Sequence, residues 1–298
     1  MTIKSCLKSM RLRTLPLSLA GIIAGISLAS TVAPLKLATV VTLVLTTVFL
    51  QILSNLSNEL GDTLHGTDTE ERAGMHYSLQ DGEMTIPQMK KLIAVIVVLC
   101  CVSGLAMIFF SFGNLFDLQP VALVLLGAAA IWAAMHYTLG DNPYGYRGLG
   151  DIFVFIFFGL VATLGAAYVC SHEFSISWLL PAAAFGFWSV GVLNVNNIRD
   201  MVTDAATRTT VAIKLGARNA RIYHSLLLIF GWILLLAYTI LASGGVASYM
   251  YVLMIPLSAM HLKAVWTKSG KALDPMLPML VMTTFAVALL FTLGNCIG

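Results

Sequence analysis

Long apolar runs alternate with short polar stretches along the whole chain. The runs fall near residues 14–32, 37–58, 91–111, 119–138, 151–170, 177–197, 222–243, 246–265 and 275–297. Each approaches the roughly 20 residues that a helix needs to cross a bilayer's hydrocarbon core. Within a run the apolar side chains extend nearly all the way round, as expected for helices set among helices and lipid. Backbone groups cannot be left unpaired in hydrocarbon, so the runs predict α-helices. The ten-residue alternation of a barrel strand is not seen. The predicted fold class is therefore all-α, a polytopic membrane protein of nine transmembrane helices in a single integral-membrane domain over 1–298. Gly21 and Gly25 form a GxxxG in the first run, a pattern that marks close helix packing. That run follows Lys4, Lys8, Arg11 and Arg13, as the apolar core of a signal peptide would. The many equally long runs behind it favour a first transmembrane helix instead.

Composition agrees with this reading. The chain is 58% hydrophobic and 10% charged, against about 25% charged in a soluble domain, so a water-soluble fold is excluded. Cys6, Cys100, Cys101, Cys170 and Cys296 form no CxxC pair and no zinc-type spacing, and predict neither a disulfide nor a thiolate metal site. Charge changes the picture more. With the N-terminus placed in the cytoplasm, all of the 17 lysines and arginines except Lys36 fall on the cytoplasmic side, which supports both the orientation and the count of nine. All of the 14 acids except Asp117 and Glu173 fall there too. The polar chemistry is thus predicted to face the cytoplasm.

Three polar segments carry candidate chemistry. The first runs from Asn55 to Asp68, off the end of the second apolar run, and its Asn55, Asn58 and Asp62 share one helical face at i, i+3 and i+7. The second runs from Asn194 to Asp204 off the sixth run, with Asn196, Asp200, Asp204 and Arg208 on an i+4 ladder if the helix continues. Each is amide-rich, then acidic, at the end of an even-numbered helix. A carboxylate at bilayer depth costs roughly 2.5–3.5 kcal/mol, so Asp62, Asp68, Asp200 and Asp204 are expected to face water, a cation or a metal. Mg²⁺ fits, because it takes oxygen ligands, keeps waters, and is held by one or two carboxylates plus substrate phosphate. No cysteine or histidine cluster accompanies the acids, which disfavours softer metals. These four aspartates are the predicted metal ligands and catalytic residues, two opposed patches clamping a diphosphate. The alternative is that they solvate helix ends and pair with nearby arginines.

The third segment, Tyr137 to Asp151, is a Gly-, Asn- and Pro-containing loop that predicts a tight shape. Its Tyr137, Tyr144 and Tyr146 can shelter a cation, and Arg147 suits a diphosphate or a carboxylate. An interfacial aromatic belt with a snorkelling arginine is the plainer reading. Residues 63–90 form a long polar connection, as lids often do.

At these residues the chain resembles the UbiA superfamily of intramembrane prenyltransferases, and within it the branch acting on 1,4-dihydroxy-2-naphthoate in menaquinone biosynthesis. The resemblance rests on Arg11-Leu12-Arg13-Thr14-Leu15-Pro16, on Gln51 to Asn55 leading to Asn58, Gly61-Asp62 and Gly66-Thr67-Asp68, on Tyr144-Gly145-Tyr146-Arg147-Gly148-Leu149-Gly150-Asp151, and on Asn197-Ile198-Arg199-Asp200 with Asp204. Two positions depart from the family pattern: Glu59 stands where an aspartate is usual, and Arg208 where a lysine is. The resemblance implies nine helices around a central cavity with a cytoplasmic cap, in a bacterial inner membrane. It implies a Mg²⁺-dependent aromatic polyprenyltransferase that joins polyprenyl diphosphate to 1,4-dihydroxy-2-naphthoate and releases diphosphate and CO₂. It assigns Arg13, Asn55, Asn58, Tyr137, Tyr144, Tyr146, Arg147, Asp151, Asn197, Arg199 and Arg208 to substrate binding. Membrane lipid is the expected surrounding, with no nucleic acid and no protein partner inferred.

Two other functions compete. Another aromatic acid, such as 4-hydroxybenzoate or homogentisate, could be the acceptor. A secondary transporter also has paired polar interruptions, but near the bilayer midplane, whereas here they lie at helix ends.

Overall fold

The computed structural model describes residues 2–67 and 76–297. Among them there are helices and turns but no strand. The α-helices are α1 (Ile3–Met10), α2 (Leu15–Ser30), α3 (Leu37–Leu64), α4 (Ile86–Phe112), α5 (Leu118–His136), α6 (Gly150–Val154), α7 (Ala162–Ser171), α8 (Leu179–Arg199), α9 (Met201–Asp204), α10 (Val211–Leu241), α11 (Ile255–Thr267) and α12 (Met276–Ile297). Seven residues of π-helix, Phe155–Val161, join α6 to α7 into one continuous run. Eight helical runs among the described residues are long and apolar enough to cross a membrane: Ile3–Ser30, Leu37–Leu64, Ile86–Phe112, Leu118–His136, Gly150–Ser171, Ile176–Arg199, Val211–Leu241 and Gly270–Ile297. This is the make-up of a multi-pass membrane protein. The run predicted over 246–265 is helical as well, but as nine residues of 3₁₀-helix (Val246–Met254) followed by the 13 residues of α11.

Local chemistry sets the boundaries. Arg11 takes the left-handed conformation (φ 49°) and closes α1, and Pro16 follows in the first turn of α2, so an elbow precedes the first predicted span. Thr85 and Gln88 form a capping box at the start of α4, with a proline in its first turn, and Gly113 (φ 77°) ends it. α8 stops at Asp200, whose backbone leaves helical geometry, and α9 is a single turn. The ladder from Asn196 to Arg208 is consequently not one continuous helical face, and that sequence expectation is corrected. Asp204 keeps its i+4 relation to Arg208 through a backbone bond of 2.9 Å from the Arg208 N–H to the Asp204 carbonyl.

The chain divides into two compact units. The first holds the residues up to Leu15, Lys36–Gly150 and Val202–Thr210. Its core sets Leu53, Leu56 and Leu60 of α3 against Met89, Ile93, Ile96 and Cys100 of α4. Asn55 braces the elbow, its Nδ2 donating to the Met10 carbonyl and to Thr14 Oγ1, each at 2.9 Å. The described end of the long polar connection is strapped down. Ser78 donates to the Ser5 carbonyl at 2.7 Å, Lys8 pairs with Asp81 and Glu83, and Tyr77 lies between the guanidinium groups of Arg11 and Arg13. The bond from Lys8 holds the Asp81 carboxyl below the usual carboxylate range.

The second unit holds Pro16–Leu35, Asp151–Met201 and Val211 onward. Leu28, Phe185, Trp188, Leu228, Leu235, Tyr251, Leu280 and Phe291 fill its core. The GxxxG behaves as predicted. A methyl group on Gly21 would lie 2.8 Å from the Phe158 carbonyl oxygen, and one on Gly25 would lie 2.2 Å from that of Thr163. Gly25→Ala is therefore expected to destabilise the protein by about 1–3 kcal/mol, read as a lower unfolding midpoint in detergent. Gly127→Ala, whose methyl meets nothing within 4 Å, is expected to leave the midpoint unchanged or raise it.

Candidate active site

The polar end of α3 is locked to the loop that follows α5. Thr138 donates to the Ser57 carbonyl at 2.9 Å and to Asn58 Oδ1 at 3.3 Å, and Gly61 leaves room for its side chain, since a Cβ there would lie 2.5 Å from Thr138 Oγ1. The loop has the tight shape its sequence predicts. Gly140 and Gly148 have positive φ, and Gly145 lies against the Tyr137 carbonyl, to which it donates its N–H. These constraints bring Tyr146 to α3, where its hydroxyl donates to Asp62 Oδ1 at 2.6 Å and lies 3.1 Å from Thr67 Oγ1. Burial, and then the Asp62 carboxylate, push the Tyr146 hydroxyl's pKa up, so it remains a donor through neutral pH.

The Val202–Thr210 segment lies on the same loop, with the Thr209 N–H donating to the Tyr146 carbonyl at 2.9 Å. Arg208 is thereby placed between two acids. Its Nη2 lies 2.7 Å from Asp204 Oδ2 and donates to Oδ1 at 2.8 Å; its Nη1 lies 3.8 Å from Asp62 Oδ1. The guanidinium carbon stands 5.8 Å from the centre of the Tyr146 ring. Asp62 is 4% exposed and Asp204 1%. Carboxylates this deeply buried persist only when paired and hydrogen-bonded, and the shared guanidinium supplies the pairing.

In the second unit, Arg199 grips Asp200 through Nε (2.8 Å) and Nη2 (2.6 Å), donates to Asp274 from Nη1 at 2.7 Å, and reaches Asn196 Oδ1 at 2.9 Å. Asn197 is buried beside this group in sequence. Asp151, in the first turn of α6, accepts from the Tyr223 hydroxyl at 3.0 Å.

The other residues singled out in the sequence take varied places. Asn55 spends both amide hydrogens on the elbow. Tyr144 donates to the Ala133 carbonyl at 2.7 Å and meets Tyr137 edge to face, which makes both rings part of the loop's scaffold. Arg13 donates to Tyr77, and Arg147 is exposed. Glu59 is buried and accepts the Leu79 N–H at 2.8 Å, an anchor for the polar connection. Asp68 lies outside the described residues. Sequence reasoning missed Tyr223, Asp274, Thr67 and Thr138. Tyr223 and Asp274 could have been flagged as polar groups beside apolar runs. Nothing in the spacing names their partners 72 and 75 positions away.

Asp62 and Asp204 offer hard oxygens around one cation, and among the described residues no three histidine, cysteine, aspartate or glutamate side chains come together as a metal-binding group, so these two carboxylates are what the site offers. Two carboxylates suit an ion that completes its shell with water and substrate phosphate. The residues present fit Mg²⁺.

Comparison with known proteins gives the family. Residues 18–284 match the UbiA prenyltransferase family. The chain is 38% identical to the 1,4-dihydroxy-2-naphthoate octaprenyltransferase of Haemophilus influenzae over 292 residues, 97% of this chain and 94% of the relative. It is 37% identical to the Escherichia coli protein of the same name over 290 residues, with the same shares. Among solved structures, a UbiA homologue from Aeropyrum pernix superposes with a TM-score of 0.74 at 16% identity, covering 94% of this chain and 97% of the other. A homologue from Archaeoglobus fulgidus bound to GPP and Mg²⁺ gives 0.67 at 14% identity, covering 96% and 99%. The fold, the paired aspartate segments and these full-length matches establish that the chain belongs to the UbiA prenyltransferase family.

Proposed function

We propose that this protein transfers a polyprenyl chain from polyprenyl diphosphate to 1,4-dihydroxy-2-naphthoate, releasing diphosphate and CO₂, at the cytoplasmic face of a bacterial inner membrane. The observation that carries the chemistry is the Asp62–Arg208–Asp204 cluster with Tyr146 on Asp62. The two relatives at 37–38% identity carry the choice of acceptor. The sorting of all basic residues but Lys36 to one side supports the orientation.

The chain's own residues have distinct tasks on this reading. Arg208 binds diphosphate oxygens and offsets the charge that grows as the C–O bond breaks. Asp62, Asp204 and Asp200, with Asp68, would hold Mg²⁺, which when bound supplies further charge neutralisation to the leaving diphosphate. Tyr146 orients Asp62. Apolar helix surfaces and the tyrosines keep water from the allylic cation. Arg147 holds the carboxylate of the acceptor by two parallel hydrogen bonds.

Membranes containing the protein, supplied with a polyprenyl diphosphate and each candidate acid in turn, are expected to yield the prenylated, decarboxylated naphthalenediol by product mass. EDTA should abolish the reaction and Mg²⁺ restore it. Product from 4-hydroxybenzoate with none from the naphthoate would overturn the acceptor assignment. Arg208→Ala is expected to lower kcat by at least about 100-fold. Arg208→Lys should recover only part, since lysine keeps the charge and loses the fork. Tyr146→Phe removes one bond to a charged group and should cost about tenfold. Full activity in Arg208→Ala would remove the cluster from the mechanism. Arg147→Ala is expected to raise the acceptor KM strongly and leave the donor KM nearly unchanged; the reverse pattern in steady-state kinetics would move Arg147 to the diphosphate site.

A further inference from the structure

The start of α10 and the end of α11 form a second polar surface, built wholly within the second unit. Arg221 of α10 clips the two together. Its Nε donates to the Val265 carbonyl at 2.9 Å and its Nη2 to that of Lys268 at 3.0 Å. One turn further along α10, Ser225 Oγ accepts the indole N–H of Trp266 at 3.0 Å. The helix ends therefore lie side by side, and their charges share one edge. Residues 211–221 carry Lys214, Arg218 and Arg221 with no acid, and residues 262–273 carry Lys263, Lys268 and Lys271 with none. The next acid, Asp274, is taken by Arg199. Among the described residues no ion pair engages Arg218, Arg221, Lys263 or Lys268.

Depth gives this edge its meaning. Past the kink at Gly216, Arg218, Ile222, Ser225 and Ile229 recur at i, i+4, i+7 and i+11. One face of α10 thus carries a cation, exposed apolar side chains and the Trp266 contact. The helix is long and apolar enough to cross a bilayer, so Ile222 and Ile229 face acyl chains and Arg218 reaches headgroup level, one turn away. The Trp266 ring is 46% exposed beside them, as indoles are at a membrane interface. Sorting of basic residues to one side of a membrane requires only that these cations sit outside the spans. It does not require that two helix ends be clipped into one acid-free seam with an indole and an apolar flank. A free phosphate needs cations alone, whereas cations continuous with an apolar flank fit a ligand that has an anionic head and acyl chains.

We propose that the seam between the start of α10 and the end of α11 binds an anionic glycerophospholipid. Arg218 and Lys268 hold its phosphate, and its chains lie along Ile222, Ile229 and the Trp266 ring. Arg221 holds the seam rather than the lipid, because its Nε and Nη2 are spent on the two carbonyls. The phosphate supplies the counter-charge that no carboxylate of the seam provides, at the edge of the hydrocarbon where screening by water is weakest.

The test is quenching of Trp266 fluorescence in the full-length protein, reconstituted into phosphatidylcholine vesicles that hold a rising fraction of phosphatidylglycerol brominated on its chains. The Trp266→Phe protein supplies the signal of the remaining tryptophans. In the wild type, brominated phosphatidylglycerol is expected to be preferred over brominated phosphatidylcholine at Trp266 by at least about tenfold. Arg218→Gln combined with Lys268→Gln should erase the preference, since each cation near the surface is worth about fivefold. Lys90→Gln combined with Lys91→Gln, two exposed cations at the start of α4 in the first unit, should keep it. Equal quenching by the two lipids, a preference that survives without Arg218 and Lys268, or the same loss without Lys90 and Lys91 would each overturn the proposal. So would displacement of the brominated lipid by inorganic phosphate at matched ionic strength, which would mark a site for phosphate alone. Should the Arg218 and Lys268 double variant fail to fold, the two single variants decide, and an unchanged preference in both overturns the proposal.

Discussion

Two carboxylates can be buried at the polar helix ends of the first unit because a single guanidinium serves both. An uncompensated buried charge costs several kcal/mol, and Asp62 and Asp204 are almost fully withdrawn from solvent. Much of the surrounding architecture can be read as the means of satisfying this constraint. α3 must run on past its apolar stretch to present Asp62. The chain must leave helical geometry at Asp200 so that the next turns can lie on the aromatic loop. That loop must be pinned at Thr138 and Gly145 so that the Tyr146 hydroxyl arrives at Asp62.

On the proposed function, ion pairs and metal binding would not be rival uses of these acids. An anionic diphosphate approaching Arg208 would offer the guanidinium new oxygens, and a divalent cation would offer the carboxylates a replacement for it. The arginine keeps the site assembled and charge-balanced beforehand, which limits the reorganisation left for the reacting state. Asp151 stands outside this economy of opposite charges, with a phenol in place of a guanidinium.

Legibility in the sequence followed the physics of lipid. Hydrocarbon tolerates few solutions for a backbone, so the runs of apolar residues located most helices to within a few positions, although α10 starts at Val211, well before the run at 222–243, and Gly21 and Gly25 announced their packing. Charges stand out against that background, which is why Asp62, Asp200 and Asp204, all buried in the structure, draw attention without any geometry. The alternative that the acids pair with arginines was also in view, and the ion pairs follow it. What stayed hidden was partnership. Tyr146 meets an acid 84 positions away, and Arg208 one far earlier in the chain, pairings that no local periodicity encodes. The i+4 ladder failed for a local reason, the break at Asp200. Glu59, which stands where the family pattern has an aspartate, accepts the Leu79 N–H, a contact 20 positions away that the motif does not announce.

The 3₁₀ stretch at Val246–Met254 has a metrical consequence. A 3₁₀-helix rises about 2.0 Å per residue where an α-helix rises about 1.5 Å. Nine such residues reach about 18 Å, and the 13 of α11 add about 20 Å. Winding more tightly thus gives 22 residues the reach of about 25 in α-form, more than the roughly 30 Å of a hydrocarbon core. The thinner rod also lets α12 come close, where Gly294 leaves no room for a side chain against the Ala247 carbonyl. The segment exchanges girth for length, and a methyl group at Gly294 would ask for the girth back.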